Sequence, residues 1–256
     1  KLERLGNLIF YTESNELASG LFGEGRLADI NKIVNAVELI LSGYSKDLVG
    51  KKILVSAGPT YEDIDPVRFI GNRSSGKMGY ALAKAAYLRG AHVTLISGPS
   101  SQYIYPEIKL INVRSASEME KSINKEINKN NLLIMSAAVS DFKPASTTSK
   151  KIKKTSGFNE IKLTQNPDIL SSIKTNKTKV IGFALETDDG LSNAKKKLKD
   201  KKLDMIVLNS PGKGSGFEVN TNKVMIIKQN CKSIKTPLLS KFQVANKILD
   251  EAINIL

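Results

Sequence analysis

Residues 52–60 read KILVSAGPT, an apolar run that breaks into a loop at a glycine-proline pair. The length and apolar character of this run predict a buried strand. The polar segment that follows reads DPVRFIGNRSSGKMG at residues 65–79 and leads into a helical pattern. Proteins of the α/β class use this order of strand, polar loop and helix N-terminus to present backbone N–H groups to a phosphate. We therefore predict an anion-binding loop in which Gly58, Ser74 and Gly76 cradle a phosphate.

The same segment nearly matches a P-loop, the phosphate-binding loop of many nucleotide-hydrolysing enzymes. Gly71 and four further residues precede Gly76 and Lys77, as that motif requires. The next position must be serine or threonine to hold magnesium, and this chain has Met78 there. A P-loop also follows its strand directly, whereas residues 58–70 intervene here. The segment is therefore predicted to bind an anion without being a P-loop.

Composition excludes several classes of protein. The 256 residues are 41% hydrophobic, which excludes a disordered chain. No uninterrupted apolar run approaches the roughly 20 residues that span a bilayer. Cys231 is the single cysteine, which excludes an intramolecular disulfide and fits a reducing compartment. One histidine argues against zinc chemistry and a histidine-based triad. We expect a cytoplasmic protein without a membrane partner, and the start at Lys1 suggests a piece of a longer chain.

The net charge of +14 permits anionic ligands without choosing among them. The lysines are scattered and are not interleaved with aromatic residues, and tryptophan is absent. Proteins that bind single-stranded nucleic acids combine a basic groove with aromatic platforms, so we predict no nucleic-acid partner. A nucleic-acid-binding module is the alternative that the charge alone would support.

From residue 51 onward, short apolar runs alternate with helical patterns. The predicted strands are 52–57, 92–97, 108–113, 131–137, 179–185 and 204–208, and the predicted helices are 77–89, 115–128, 167–175 and 190–202. This alternation is typical of a mostly parallel sheet with helices on both faces, so we predict an α/β, Rossmann-like fold. Two late strands, 223–228 and 233–235, predict a β-hairpin, and 238–255 predicts a final helix.

Residues 1–48 form a separate segment. Its apolar residues recur at helical spacing from Leu27 to Leu41, which predicts an amphipathic helix over 27–42. The rhythm of the sequence then changes to that of the alternating strands and helices. We therefore predict two parts, a segment over 1–48 and a domain over 49–256.

Open α/β sheets bind ligands beyond the carboxyl ends of their strands, so the loops at those ends are candidate sites. Ser136 and Ala137 are small residues that let a ligand approach the backbone at one strand end. Asp141 suits a ribose hydroxyl or a metal, although a turn-capping role is the simpler explanation. The lysine-rich loop 143–155 is a solvated face or a clamp on the phosphates of a nucleotide. As a clamp, it should be mobile without nucleotide and ordered with it.

Three later positions carry further candidate contacts. Asn166 and Pro167 suit the cap and the first residue of a helix. Phe183 suits the core or a platform for a base. Lys197 and Lys201 are four residues apart and therefore lie on one face of a helix.

These segments, in this order, resemble phosphopantothenoylcysteine synthetase, the ligase half of a bifunctional bacterial protein of coenzyme A biosynthesis. The resemblance runs from about residue 51 to the C-terminus. The motifs are GPT at 58–60, DPVRFIGNRSSGKMG at 65–79, AAVSD at 137–141, KIKK at 151–154, NPDI at 166–169, GFALET at 182–187 and DMIV at 204–207. Residues 16–20 (ELASG) and 23–28 (GEGRLA) resemble the end of the partner flavoprotein, phosphopantothenoylcysteine decarboxylase.

The resemblance implies a two-step ligase reaction. The carboxylate of 4′-phosphopantothenate attacks the α-phosphorus of CTP, which releases pyrophosphate and forms an acyl-cytidylate. The amine of L-cysteine then attacks the acyl carbon, and CMP leaves. The fused layout of the two enzymes favours CTP over ATP. The resemblance also implies Mg²⁺, bound mainly through nucleotide phosphates, and a homodimer with 223–236 as a candidate contact.

Roles for individual residues also follow from the resemblance. Lys151 would neutralise phosphate charge in the first step, Asn72 would hydrogen-bond the acyl-cytidylate and its oxyanion-like state in the second, and Arg68 would help to position the phosphorylated substrate. The residues implied for CTP binding are Met135, Ser136, Ala137, Asp141, Lys151, Pro167, Asp168, Ile169, Leu170, Phe183, Lys197 and Lys201.

One position departs from the resemblance. The decarboxylase carries a catalytic cysteine where this chain has Ser19. Its flavin-site histidine belongs to the missing part of that domain, so FMN is expected only there, and we expect no decarboxylation by this chain. A nicotinamide-dependent oxidoreductase is the alternative on the same fold, but GPT at 58–60 lacks the G-x-G-x-x-G pattern that it needs.

Overall fold

The structure is a computed structural model, and it describes residues 2–7, 9–41, 43–153, 160–175, 177–186, 189–209, 212, 216, 219–230 and 232–256. Residues named in the sequence analysis that lie outside these ranges are Lys1, Ser42 at the end of the helix predicted over 27–42, Lys154, Thr155, Thr187 and Cys231. The chain divides into two compact units, Lys1–Ser45 with Tyr105–Glu107, and Lys46–Ile104 with Ile108–Leu256. The origin of the first unit in a decarboxylase domain stays a prediction.

The smaller unit contains an antiparallel strand pair and a helix. Strand β1 (Glu13–Glu16) pairs with β2 (Phe22–Arg26), and α1 spans Ile30–Leu41. The helix predicted from residue 27 therefore begins later, because the Asp29 carboxylate accepts a hydrogen bond from the Asn31 amide (2.8 Å) and caps the first turn. Its apolar stripe is exposed: Ile30, Val34, Val37, Ile40 and Leu41.

The larger unit is built from a central sheet and short strand pairs. Its strands in chain order are β3 (Lys52–Ala57), β4 (Tyr61–Asp63), β5 (Phe69–Gly71), β6 (His92–Ser97), β7 (Lys109–Asn112), β8 (Leu132–Met135), β9 (Phe142–Pro144), β10 (Leu163–Gln165), β11 (Lys179–Leu185), β12 (Met205–Asn209), β13 (Thr221–Asn222), β14 (Val224–Lys228), β15 (Ser233–Lys235) and β16 (Leu239–Ser240). Every strand predicted from the sequence is present, and the bounds of β3, β6 and β11 match the prediction.

The central sheet of the described chain has the order β7-β6-β3-β8-β11-β12-β14-β15. The strands from β7 to β12 in that order are parallel, and β14 and β15 add antiparallel at the edge. Counted along the chain, the parallel strands stand in the order 3-2-1-4-5-6, the order of doubly wound nucleotide-binding folds. The Rossmann-like fold and the late hairpin are confirmed. The short strands pair antiparallel as β4 with β5, β9 with β10 and β13 with β16.

Helices cover both faces of this sheet. They are α2 (Lys77–Leu88), α3 (Ala116–Glu126, continued by a 3-10 turn at Ile127–Lys129), α4 (Ile169–Ser172), α5 (Gly190–Asp200) and α6 (Lys241–Ile253). Leu54 and Leu133 belong to the core cluster formed with α3, α4 and α5. Because side chains alternate across a strand, their neighbours point to the opposite face, where α2 packs on β3, β6 and α6.

Two predictions in this unit are wrong in detail. The helix predicted over 167–175 spans only Ile169–Ser172, and Asp168, not Asn166, is its N-cap. The side-chain Nδ2 of Asn166 instead donates to the Ser140 carbonyl (2.9 Å), so that side chain braces a loop. The loop predicted from residue 143 begins later, because Phe142–Pro144 pairs with Leu163–Gln165. No helix in the described ranges has the length and apolar character to cross a membrane.

Candidate functional site

The strand order reverses between β3 and β8, the kind of switch point at which open α/β sheets bind ligands. The two strands end at Ala57 and Met135, and the loops beyond them are tied together. The Ala138 amide donates to the Gly58 carbonyl (2.9 Å), and the Thr60 amide donates to the Ala138 carbonyl (3.3 Å). Gly58 and the segment after Met135, both predicted from the sequence as site residues, therefore lie side by side.

The N-terminus of α2 lies against this pair of loops. Gly76 is its N-cap, with a left-handed φ of 78° that favours glycine, and its amide donates to Ser74 Oγ (3.3 Å). One turn later, a Cβ on Gly79 would lie only 2.4 Å from the Cβ of Ala57. Glycine at this position lets the first turn of the helix rest directly on the end of β3. The free N–H groups of that turn are therefore held at the switch point.

A cleft of about 150 Å³ opens between this helix end and the carboxyl ends of β8, β11 and β12. Its lining residues are Ser74, Ser75, Gly76, Lys77, Met78, Ser136, Ala137, Ala138, Phe183, Ala184, Leu185, Asn209, Gly216, Asn222 and Lys241. Five residues predicted from the sequence are among them: Ser74, Gly76, Ser136, Ala137 and Phe183. None of the described lining residues is acidic, so the cleft favours an anionic ligand.

One lining residue that the sequence analysis did not predict, Lys241, carries a charge deep in the cleft. It is 7% exposed, and its Nζ donates to the Gly216 carbonyl (3.0 Å). Burial, with a contribution from the nearby charge of Lys77, lowers the pKa of Lys241 to about 8. A signal was present in the sequence: Ser240 and Gln243 form a capping box, which places Lys241 in the first turn of a helix, where a cation opposes the helix dipole.

A second group of predicted residues meets beside α4 and α5. The Asp168 carboxylate accepts a hydrogen bond from the Ser171 amide (3.1 Å) and pairs with Lys201 Nζ (2.5 Å). Lys201 Nζ also donates to Ser171 Oγ (2.6 Å). Burial works to raise the pKa of Asp168, but Lys201 and the Ser171 amide outweigh it and hold that pKa below its usual value. Asp168 is therefore ionised at neutral pH.

Lys197 links this group to the cleft. Its Nζ donates to the carbonyl of Phe183 (3.0 Å), a residue that lines the cleft. Burial lowers the pKa of Lys197, and the charges of Asp168, Glu186 and Asp141 oppose that effect. Lys197 and Lys201 thus both face Asp168, as their spacing predicted, and Asp141 lies within electrostatic range of Lys197.

The backbone beside Lys151 is held by a buried carboxylate. Asp65 is 2% exposed, pairs with the guanidinium of Arg68, and accepts hydrogen bonds from the amides of Val67 (2.8 Å) and Ile152 (3.1 Å). Arg68 Nη2 also donates to the Ile152 carbonyl (3.0 Å). Arg68 holds the pKa of Asp65 well below its usual range, although burial opposes this shift. Arg68 thus helps to fix the loop that carries Lys151. A contact of Arg68 with the substrate stays a prediction.

Asn72 bridges to the loop after β8. Its Nδ2 donates to the carbonyls of Ala138 (3.1 Å) and Val139 (3.0 Å). Both amide hydrogens are thereby used, and Oδ1 is the polar atom that stays available to a ligand. Within the described residues no hydrogen bond joins Asn72 to Lys151, so their common contact with one triphosphate ester stays a prediction.

The remaining predicted contacts are less open to a ligand. Met135 is buried at the end of β8, where its sulfur accepts a hydrogen bond from Ser56 Oγ (3.5 Å), and Ile169 is 3% exposed in the core. Pro167 and Leu170 are partly exposed on either side of Ile169. Their roles in CTP binding stay predictions.

Comparisons with known proteins match nearly all of the larger unit. Residues 48–256 match the family described as DNA/pantothenate metabolism flavoprotein C-terminal domain. The "Coenzyme A biosynthesis bifunctional protein CoaBC" of Mycobacterium tuberculosis strain H37Rv is 36% identical, covering 100% of this chain and 65% of that protein. The protein of the same name from Vibrio vulnificus strain YJ016 is 40% identical, covering 98% of this chain and 63% of that protein. The chain thus spans slightly less than two thirds of these relatives.

A further relative, named "Cysteine/Cysteine sulfinic acid decarboxylase" and from an unknown prokaryotic organism, is 45% identical over 99% of this chain and 73% of its own length. Among solved structures, the C-terminal domain of CoaBC superimposes with a TM-score of 0.71 at 37% identity, covering 82% of this chain and 98% of that domain. The match to the family profile extends over most of the chain and agrees with the motifs at the cleft. This chain therefore belongs to the DNA/pantothenate metabolism flavoprotein C-terminal domain family.

Proposed function

We propose that this chain is a phosphopantothenate–cysteine ligase of coenzyme A biosynthesis. The observation that carries the proposal is the anion-favouring cleft at the β3–β8 switch point, because its walls are built from the segments that resemble the synthetase. The family match over 48–256 and the names of the CoaBC relatives agree with it. A site with two positively charged regions suits a reaction that joins a phosphorylated acid to a nucleotide.

In the first step a carboxylate oxygen of 4′-phosphopantothenate attacks the α-phosphorus of CTP. The bond between that phosphorus and the β-phosphate oxygen breaks, and pyrophosphate leaves. Negative charge accumulates on the phosphate oxygens, and fixed cations nearby lower the barrier. The clamped backbone at Ile152 supports Lys151 as one such cation, and Lys197 and Lys201 supply the second positive region.

In the second step the amine of L-cysteine attacks the acyl carbon of the acyl-cytidylate. The bond from that carbon to the nucleotide oxygen breaks, CMP leaves, and the amine loses a proton. Asn72 donates both amide hydrogens to backbone carbonyls, so Oδ1 is the atom it offers. An acceptor suits the N–H of the attacking amine and would orient its lone pair toward the acyl carbon.

The finer features belong to the same proposal. CTP is the nucleotide, the protein acts in the cytoplasm, and two copies pair as a homodimer. Magnesium, when bound, supplies neutralisation of the triphosphate charge. Phosphate oxygens of the nucleotide would hold most of the coordination sphere of this ion. Asp141 and Asp168, whose charges act on Lys197, would be candidate protein ligands of that ion.

A pyrophosphate-release assay tests the proposal. Release should require both nucleotide and 4′-phosphopantothenate, and CTP should exceed ATP, GTP and UTP. Asn72→Ala should slow the second step by about 10²-fold, because the amine is no longer oriented toward the acyl carbon, and the acyl-cytidylate should accumulate and be visible by mass spectrometry. Release of pyrophosphate without the pantothenate compound would overturn the ligase reaction, and normal turnover of Asn72→Ala would overturn the role of that residue.

The name of the 45% identical relative raises a second candidate, decarboxylation of cysteine or cysteine sulfinic acid. Ser19 stands where the resemblance places the catalytic cysteine of a decarboxylase, which argues against it. Carbon dioxide release from either compound, measured in parallel with the ligase assay, separates the two candidates.

A further inference from the structure

The loop that follows β6 packs directly against the loop that follows β3. The Gly98 amide donates to the carbonyl of Ala57 (3.0 Å), the last residue of β3. A Cβ on Gly98 would overlap the carbonyl oxygen of Pro59, and a Cβ on Gly58 would lie 2.9 Å from the carbonyl oxygen of Gly98. The two backbones therefore touch without room for a side chain, so the loop after β6 is fixed relative to Gly58.

Ser100, two residues further along this loop, reaches the turn that begins α2. Its Oγ donates a hydrogen bond to the Ser75 carbonyl (2.9 Å) and accepts one from the Gln102 amide (3.3 Å). A hydroxyl has a single hydrogen to donate, and here the Ser75 carbonyl receives it. A Cβ on Gly76 would lie 2.9 Å from Ser100 Oγ, so this hydroxyl is also packed closely against the N-cap of α2.

The hydrogen bond from Ser100 fixes the direction of the peptide that joins Ser75 to Gly76. Because a peptide unit is planar, holding its carbonyl also holds its N–H, which donates to Ser74 Oγ (3.3 Å). The next carbonyl, that of Gly76, accepts the amide of Tyr80 (3.1 Å) and starts the hydrogen bonds of α2. The direction in which the first turn of α2 presents its amides therefore depends on this peptide.

The turn that Ser100 holds faces the predicted contacts of the nucleotide. Residues 74–76 line the cleft at the switch point. The same cleft is lined by Ser136, Ala137 and Phe183, which are predicted to bind CTP. Backbone amides at a helix N-terminus favour a phosphate group. A phosphate of CTP is therefore the ligand that fits both sets of lining residues.

Resting on the ligase function proposed above, we propose that Ser100 is a positioning residue for CTP. It acts through the Ser75–Gly76 peptide, which it holds in the orientation that turns the first amides of α2 toward a phosphate of the nucleotide. Without this hydrogen bond the turn samples other orientations. The apparent affinity for CTP then falls with the fraction of molecules that keep the competent orientation. The usual strength of a single hydrogen bond limits that loss to about 10-fold.

The test compares three variants of the full chain. Ser100→Ala removes the hydroxyl, Ser100→Thr keeps it, and Ser101→Ala is the matched control at the neighbouring exposed position. Ser100→Ala should raise KM for CTP about 5- to 10-fold and leave KM for 4′-phosphopantothenate unchanged. Its kcat should also stay unchanged, because saturating CTP selects the competent orientation. Ser100→Thr should restore most of the affinity for CTP, and Ser101→Ala should behave as the wild type.

Binding of CTP with Mg²⁺, measured by isothermal titration calorimetry without the acid substrate, separates the two possible failures. Ser100→Ala should weaken this binding by the same factor as it raises KM for CTP. If the wild type formed no amide yet its binding of CTP still depended on Ser100, the ligase proposal would fail while the positioning role stood. Binding of CTP that is absent from the wild type, or equal in Ser100→Ala, would overturn the positioning role. An equal rise in both KM values would also overturn it, because the site as a whole would then have loosened.

Discussion

Gly79→Ala tests whether the first turn of α2 rests directly on β3. In an isolated helix this change would stabilise by about 1 kcal/mol, because glycine is the poorer helix former. In this protein the new Cβ would lie 2.4 Å from the Cβ of Ala57 and 2.8 Å from Ser136 Oγ. Carbon atoms in contact are normally about 3.5–4.0 Å apart, so the helix must move from the strand by more than about 1 Å.

The packing penalty should exceed the gain in helix propensity. Overpacking typically costs about 1–3 kcal/mol, and the upper part of that range applies because the Cα of Ala57 also lies 3.0 Å from the new atom and cannot rotate away. Subtracting the propensity gain leaves a net loss of about 1–2 kcal/mol in the free energy of unfolding. The displaced turn also forms one wall of the cleft, which contains the predicted CTP contacts Ser136, Ala137 and Phe183, so KM for CTP should rise.

Urea unfolding followed by far-ultraviolet circular dichroism measures the first effect, and initial rates measure the second. Gly23→Ala is the control, because its Cβ would make an ordinary 3.6 Å contact with Leu17 Cδ1 in the smaller unit. It should leave both quantities unchanged. A Gly79→Ala protein as stable as the wild type would show that helix propensity outweighs the contact, and the reasoning about the α2–β3 contact would be refuted.

Two further predictions concern the ion pairs that Asp65 and Lys201 form. The pKa of Asp65 is depressed in the folded protein, so the stability from its contacts is complete above the unfolded pKa of about 4 and is lost as the pH falls below that value. Asp65→Asn should therefore flatten the fall in the free energy of unfolding between pH 6 and pH 3. An unchanged slope would contradict this. Lys201→Met should raise KM for CTP about 10-fold without changing KM for 4′-phosphopantothenate. The control is Lys199→Met, at an exposed position of α5, which should change neither KM. Equal effects of the two variants would contradict a specific contact of Lys201.

The sequence predicted the sheet well because its strands are continuous apolar runs with clear ends. The run 52–57 stops at Gly58 and Pro59, and 179–185 is similarly apolar. The apolar pattern and the turn-forming residues therefore indicated the same strands. The short pairs β4–β5 and β9–β10 were not predicted. Each strand in them has three residues, too few to show an alternating pattern, and pairing with a neighbouring segment creates them.

At the site, local sequence patterns gave wrong predictions where contacts between distant segments decided the structure. Asn166 and Pro167 matched the start of a helix. In the structure the side-chain Nδ2 of Asn166 donates to the Ser140 carbonyl, and Asp168 is the N-cap. Lys241 had the appearance of a solvated lysine in an amphipathic helix. The capping box of Ser240 and Gln243 places Lys241 in the first turn of α6, but its burial depends on how α6 packs against the cleft, which the sequence of that helix does not reveal.

The β4–β5 hairpin connects the two residues on which the proposed chemistry depends. Asp65, between its strands, fixes the backbone beside Lys151, and Asn72 directly follows β5 and holds the loop after β8. The rings of Tyr61 and Phe69 stack across the pair with their centroids 3.8 Å apart, so the hairpin is braced along its length. A displacement at one end should therefore reach the other. Because Asp65 fixes the backbone beside Lys151, which is proposed to act in the first chemical step, Asp65→Asn should lower kcat more than it raises KM for 4′-phosphopantothenate, and a change in that KM alone would assign the hairpin to substrate binding.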